Sequence, residues 1–118
     1  MSQARKHRGY RTQRVAANYL TRWWPTAEPV GAGRAGSDII GVPFDIEVKA
    51  RTGLDLAGLM KQLRDRSDGR LGVGLLRLNG QGEQSVDDWV AVLRFADLAH
   101  ILATIHHVTD DLPGDTTP

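Results

Sequence analysis

The stretch from Gly36 to Lys49, GSDIIGVPFDIEVK, limits the folds open to this chain more than any other. It reads as a chain reversal about the Val42–Pro43 bond, with a short β-prone run on either side. In the second run Asp45, Glu47 and Lys49 share one face by period-two alternation, and Phe44, Ile46, Val48 and Ala50 take the other. The apolar face is expected to pack, which leaves the charged face available for chemistry.

Asp38 and Glu47 are symmetrically placed about that bond, so an antiparallel hairpin would set them opposite each other, with Cβ atoms about 4.5–5.5 Å apart. Opposed carboxylates repel, and the arrangement makes most sense with a cation between them. Mg²⁺ suits such a pair, because it is held by one or two carboxylates together with waters and substrate phosphate oxygens. Mn²⁺ is the alternative metal. Lys49, one strand step beyond Glu47, is placed to orient an attacking water or to offset charge developing on a phosphate. Each part alone has a plainer explanation: an E-x-K on an amphipathic strand is often a solvated edge, and an Asp after Ser is often a turn former. Asp45 is expected at the hairpin rim, with a supporting role at the site left open.

With Asp38 as first acid and Glu47-Val48-Lys49 as an E-x-K element, the chain resembles the PD-(D/E)xK nuclease superfamily. The order of its parts is most like that of small archaeal Holliday-junction resolvases and their phage relatives. A basic, glycine-containing segment, RKHRGYRTQR, leads into a helix, followed by SDI, IEVK and a second helix, so that the resemblance spans residues 5–78. It implies a restriction-endonuclease-like αβββαβ core, a metal held by Asp38, Glu47 and the Val48 carbonyl, and Lys49 assisting water and phosphate. Those resolvases commonly carry a glutamate four residues after the helix glycine, where this chain has Gln13 after Gly9. An amide can position water or bind a phosphate-facing group, but it is a weaker Mg²⁺ ligand than a carboxylate. Either the site uses fewer acids or Glu28 supplies the missing one. By the same resemblance Gln62 and Lys61 of the second helix are candidates, with ordinary helix surface as the alternative. Branched DNA such as a four-way junction, a homodimer making paired incisions, DNA recombination and a phage or prophage origin are further implications.

The charge distribution points to a polyanionic partner. Residues 1–34 hold seven Lys and Arg against one acid and residues 78–118 hold one against seven, so the net charge of +1 conceals a basic first third and an acidic last third. Arg5, Lys6, Arg8, Tyr10, Arg11 and Arg14 are the candidate nucleic-acid contacts, with a solvated tail as the alternative. Residues 31–36, GAGRAG, satisfy G-x-G-x-x-G, but a dinucleotide-binding loop needs a strand before it and a helix after it. Here a helix precedes and the SDII strand follows. The expectation is a glycine loop bringing backbone N–H groups and Arg34 toward a phosphate, or a plain turn.

A chain of 118 residues is expected to form one domain, 1–108, including the basic segment 1–14, with a disordered acidic tail at 109–118. It has no cysteine, which excludes disulfides and thiolate metal sites and agrees with a reducing cytoplasm. No stretch reads as a signal peptide or membrane span, so a soluble, cytoplasmic protein is expected.

Helices are predicted over 8–24, ended by Pro25; from a cap at Asp55, with Leu56, Leu59, Met60 and Leu63 as its core stripe; and over Phe95–Ile105. Val15, Tyr19, Leu20, Trp23 and Trp24 form the expected core stripe of the first. Strands over 71–78 and 89–93 complete an α/β sandwich with a mixed central sheet flanked by helices. His106 and His107 are adjacent on a helix, diverge, and are not read as metal ligands. The expected activity is metal-dependent hydrolysis of DNA phosphodiester bonds, by a Holliday-junction resolvase. A less structure-selective phage or mobile-element nuclease and a non-catalytic nucleic-acid-binding module are the alternatives.

Overall fold

The computed structural model describes residues 3–31, 36–50, 55–66 and 69–110, with the side chains from 9 to 106. The chain runs α1 (Gln3–Leu20), β1 (Glu28–Pro29), β2 (Ile39–Ile40), β3 (Asp45–Lys49), α2 (Leu56–Asp65), β4 (Gly72–Leu76), a 3-10 segment (Glu83–Asp88), β5 (Val90–Val92) and α3 (Phe95–Asp110). This is an α/β fold whose main sheet is mixed: β3 lies parallel to β4, and β4 antiparallel to β5. No described helix is long and apolar enough to cross a membrane.

The alternation of β3 separates two apolar clusters. Ile46 and Val48 join Ala16 and Ala17 of α1, together with Ala27, Ile39, Val42 and Trp89. Leu59 and Leu63 of α2 meet Leu76 on the other face, with Met60 and Val92 packed beside them. α1 approaches the sheet through small residues, Thr12, Ala16 and Ala17, and Val15, Leu20 and Trp24 pack around that seam. Trp23 departs from the expected stripe and is exposed. The helix also ends at Leu20, earlier than Pro25 alone requires. The Thr21 hydroxyl donates to the Asn18 carbonyl (2.6 Å), competing with the helical ladder, and the Trp23 and Trp24 N–H groups both turn back to the Leu20 carbonyl.

α2 starts where expected, with Asp55 Oδ1 accepting from the Gly58 N–H (2.9 Å). Leu59 and Leu63 form its buried face, whereas Leu56 is exposed. The helix sits low on the sheet because β4 offers glycine beneath it. A Cβ built on Gly74 would fall 2.7 Å from Leu59 Cδ2 and 2.8 Å from Val92 Cγ2.

The reversal between β2 and β3 is present, but not as the expected ladder. β2 pairs with β1 instead, Glu28 opposite Ile40 and Pro29 opposite Ile39. Side chains stitch the 37–38 segment to β3: the Ile46 N–H donates to Ser37 Oγ (3.0 Å) and the Val48 N–H to Asp38 Oδ2 (2.7 Å), alongside one backbone bond from the Asp38 N–H to the Ile46 carbonyl (2.8 Å). Ser and Asp offer backbone groups such alternatives to a regular ladder. Gly41 makes the bend possible, with φ +81° and no room for a Cβ against the Thr26 carbonyl.

α3 stands apart, making no extended contact with the other described elements. Phe95 is 82% exposed, and Leu102 and Ile105 are exposed as well. The helix continues to Asp110, two residues into the segment expected as tail; residues 111–118 lie outside the described residues.

Candidate active site

Successive residues of a strand direct their backbone N–H and C=O groups to alternate edges. On β3 the Asp45 N–H donates to the Leu71 carbonyl, and the Lys49 carbonyl accepts from the Arg77 N–H, so the odd-numbered residues face β4. Ile46 and Val48 face residues 37 and 38. The Val48 carbonyl therefore opens on the edge where the Asp38 carboxylate lies. On the strand's charged side, Lys49 Nζ is 3.2 Å from Glu47 Oε2. Asp38 thus holds the Val48 N–H, Glu47 pairs with Lys49, and the charges of Glu47 and Lys49 act on Asp38, through a register other than the expected hairpin.

Burial raises the Asp38 pKa from 3.8 to about 6, opposed by the hydrogen bond from Val48; the Glu47 charge adds to the rise, while Lys49 and Arg66 counter it. A partly buried carboxylate held near a second carboxylate is the setting that a divalent cation relieves.

The charged face of β3 is not open to solvent as expected. Asp45 is only 2% exposed and Glu47 7% exposed, and Arg66, the C-cap of α2, covers both. Its guanidinium grips Asp45 in a bidentate pair, Nη2 to Oδ1 at 2.8 Å and Nε to Oδ2 at 3.0 Å, and Nη1 donates to Glu47 Oε1 at 2.9 Å and to the Gly36 carbonyl at 2.8 Å. Burial works against the guanidinium's charge, but the bonds to Asp45 and Glu47 outweigh it and hold the Arg66 pKa above its ordinary value. Asp45 is therefore not a rim residue; it anchors the arginine that partners Glu47. Arg66 continues the i, i+4, i+7 series from Leu59 and Leu63, and that spacing was the available signal for it.

The remaining candidates are more dispersed. Gln13 is half-buried, and its Oε1 is shielded from solvent with no hydrogen-bond donor, an orphan acceptor of the kind that a bound ion or water satisfies. Glu28 is exposed on β1. Gln62 and Lys61 are exposed on α2, and Lys61 pairs with Asp65 at 2.6 Å. Tyr10, Arg11 and Arg14 are exposed on α1, with Arg11 Nε 4.0 Å from Glu83. Arg5, Lys6 and Arg8 lie on the same helix, but their side chains are outside the described set, as is all of Arg34.

Among the described residues no group of three or more His, Cys, Asp or Glu side chains is arranged to hold a metal ion. Asp38, Glu47 and the Val48 carbonyl are oxygen donors of the types Mg²⁺ accepts alongside water. Such an ion would share Glu47 with Arg66 and Lys49.

No family model matches this chain, and no curated protein or solved structure matches it.

Proposed function

We propose that the protein is a Mg²⁺-dependent DNA endonuclease of the PD-(D/E)xK type, built on a restriction-endonuclease-like core and acting as a homodimer on branched DNA such as a Holliday junction. The supporting observation is the meeting of Asp38, Glu47, Lys49 and the Val48 peptide at one edge of β3. Asp38, Glu47 and the Val48 carbonyl would hold Mg²⁺, or Mn²⁺ in its place. The ion supplies Lewis acidity toward phosphate oxygens and an acidified water. Lys49 orients the attacking water and offsets negative charge as the phosphodiester bond is hydrolysed to a phosphate monoester and a free hydroxyl. Arg66 fixes the Glu47 carboxylate, and Asp45 fixes Arg66. Gln13, on α1, would offer a neutral oxygen in place of the carboxylate that similar nucleases carry.

Matched duplex, single-stranded and four-way-junction DNA test this reading when incubated with the purified protein and Mg²⁺. Selective cutting of the junction is expected. Glu47→Gln should abolish cleavage and leave junction binding largely intact. Equal cutting of all three substrates would reject the resolvase assignment in favour of a less selective phage or mobile-element nuclease. The Arg66 and Lys49 contacts to both Glu47 oxygens, together with Gln13, favour a second reading, a non-catalytic nucleic-acid-binding module. On that reading the wild type cuts nothing in Mg²⁺ or Mn²⁺, and Glu47→Gln leaves binding unaltered.

A further inference from the structure

α2 divides the second face of the sheet. Leu59 and Leu63 stand over β4, where Gly74 and Gly72 leave room for them. From that seam Arg66 turns toward β3 and its carboxylates. Met60 and Arg64 face the opposite side, where they border a cavity of about 230 Å³ reaching to the turn before β4 and to the junction of β5 with α3. Three guanidiniums line it, from Arg64 on α2, Arg70 on the turn and Arg94 at the junction. Asp97, in the first turn of α3, is the one acid among the described lining residues.

Arg64 and Arg94 are exposed, and among the described residues they form no ion pair. Their charge is therefore not consumed by the fold, in contrast to that of Arg66. Guanidinium forks match phosphate oxygens in geometry as well as charge. The cavity is smaller than the range of about 300–1,000 Å³ that whole small-molecule ligands occupy, which suits it to a phosphate group.

We propose that this arginine cleft binds a backbone phosphate of a nucleic acid strand, as a second anchor separated by α2 from the carboxylate centre. This rests on the nucleic-acid reading above. It adds a contact on the α2 face of the sheet, whereas the basic helix α1 packs against the other face.

The double variant Arg64→Gln/Arg94→Gln tests the assignment in the full-length chain, with duplex DNA affinity measured as a function of salt. Loss of one phosphate contact flattens the slope of log affinity against log salt by about 0.9. Affinity at low salt should fall several-fold, with the unfolding midpoint unchanged because both side chains are exposed. Asp97→Asn, which removes the opposing charge, should tighten binding. An unchanged slope in the double variant, with a steep slope in the wild type, overturns the cleft and leaves the nuclease reading standing. A wild type that binds no DNA at any salt overturns the nucleic-acid reading itself. Inorganic phosphate provides the remaining arm: if it raises the unfolding midpoint of the wild type and not of the double variant, while DNA affinity is the same for both, the cleft takes free phosphate and the proposal fails.

Discussion

The two faces of β3 show how differently five residues can be buried. On one side Ile46 and Val48 meet alanines of α1 and the ring of Trp89, a contact that needs shape and apolar area and tolerates exchange among similar side chains. On the other side Asp45 and Glu47 are just as inaccessible, yet each must keep a cationic or hydrogen-bonding partner where water has been removed. The apolar face depends on many weak contacts spread over several residues. The charged face depends mainly on one side chain, Arg66, delivered by the end of α2.

Arg66→Met should break that face and produce the largest effect. It leaves two buried carboxylates without their main counter-charge, and removal of one partner from a buried ion cluster typically costs about 3–5 kcal/mol. Ile46→Val, on the opposite face of the same strand, should cost about 0.5–1.5 kcal/mol. Urea unfolding at neutral pH measures both. Similar costs for the two would mean that the carboxylates are solvated on opening of the site and that the faces do not differ as described.

Asp38 sharpens the contrast, since it is a carboxylate without a dominant cation. The folded protein holds the Asp38 proton more tightly than the unfolded chain does, with a pKa near 6 against 3.8. The stability tied to this group is therefore full below about pH 4 and is lost as the pH rises through about 6. The largest loss such a difference allows is about 3 kcal/mol, and solvent at the exposed side of the carboxyl reduces it to roughly 2. Asp38→Asn keeps an oxygen for the Val48 N–H and should stabilise the protein by that amount at pH 8, with no gain at pH 3.5. A gain independent of pH, or a loss at pH 8, would show that burial does not strain this carboxyl. Increased stability with abolished cleavage is the trade expected of a group retained for chemistry.

Which parts of this arrangement were legible in the sequence follows from the range of the forces involved. The alternation of Asp45, Glu47 and Lys49 against Ile46 and Val48 is a local property, as is the Asp55 cap, and both appear where the sequence places them. The return of Asp38 to the side of β3 was legible too, because the reversal between them is short. The register was not: Ser37 and Asp38 spend their side chains on β3 backbone groups, and β2 turns to β1, a choice decided by three-dimensional packing. The reach of Arg66 across 19 residues to Glu47 is likewise tertiary. The exposure of Phe95 on α3 had no local signal, since a periodic apolar stripe specifies a face and not its partner.

Gly74 tests how closely the charged face depends on the height of α2. It lies opposite Glu47 in the parallel register and directly beneath Leu59. A methyl group there meets the ends of two flexible side chains, Leu59 Cδ2 and Val92 Cγ2, rather than backbone, so adjustment is open to the protein at an overpacking cost of about 1–3 kcal/mol. If α2 lifts to make room, its C-terminal Arg66 moves with it and the bonds to Asp45 and Glu47 lengthen. Gly74→Ala and Arg66→Met should then be less than additive in a double-mutant cycle, each having already weakened what the other removes. If instead the side chains rotate and α2 stays in place, the two costs will sum, and the apolar and charged contacts of α2 are energetically separate. The smaller substitution thereby decides whether the arginine's position is set by its own hydrogen bonds or by the leucine seam beneath the helix.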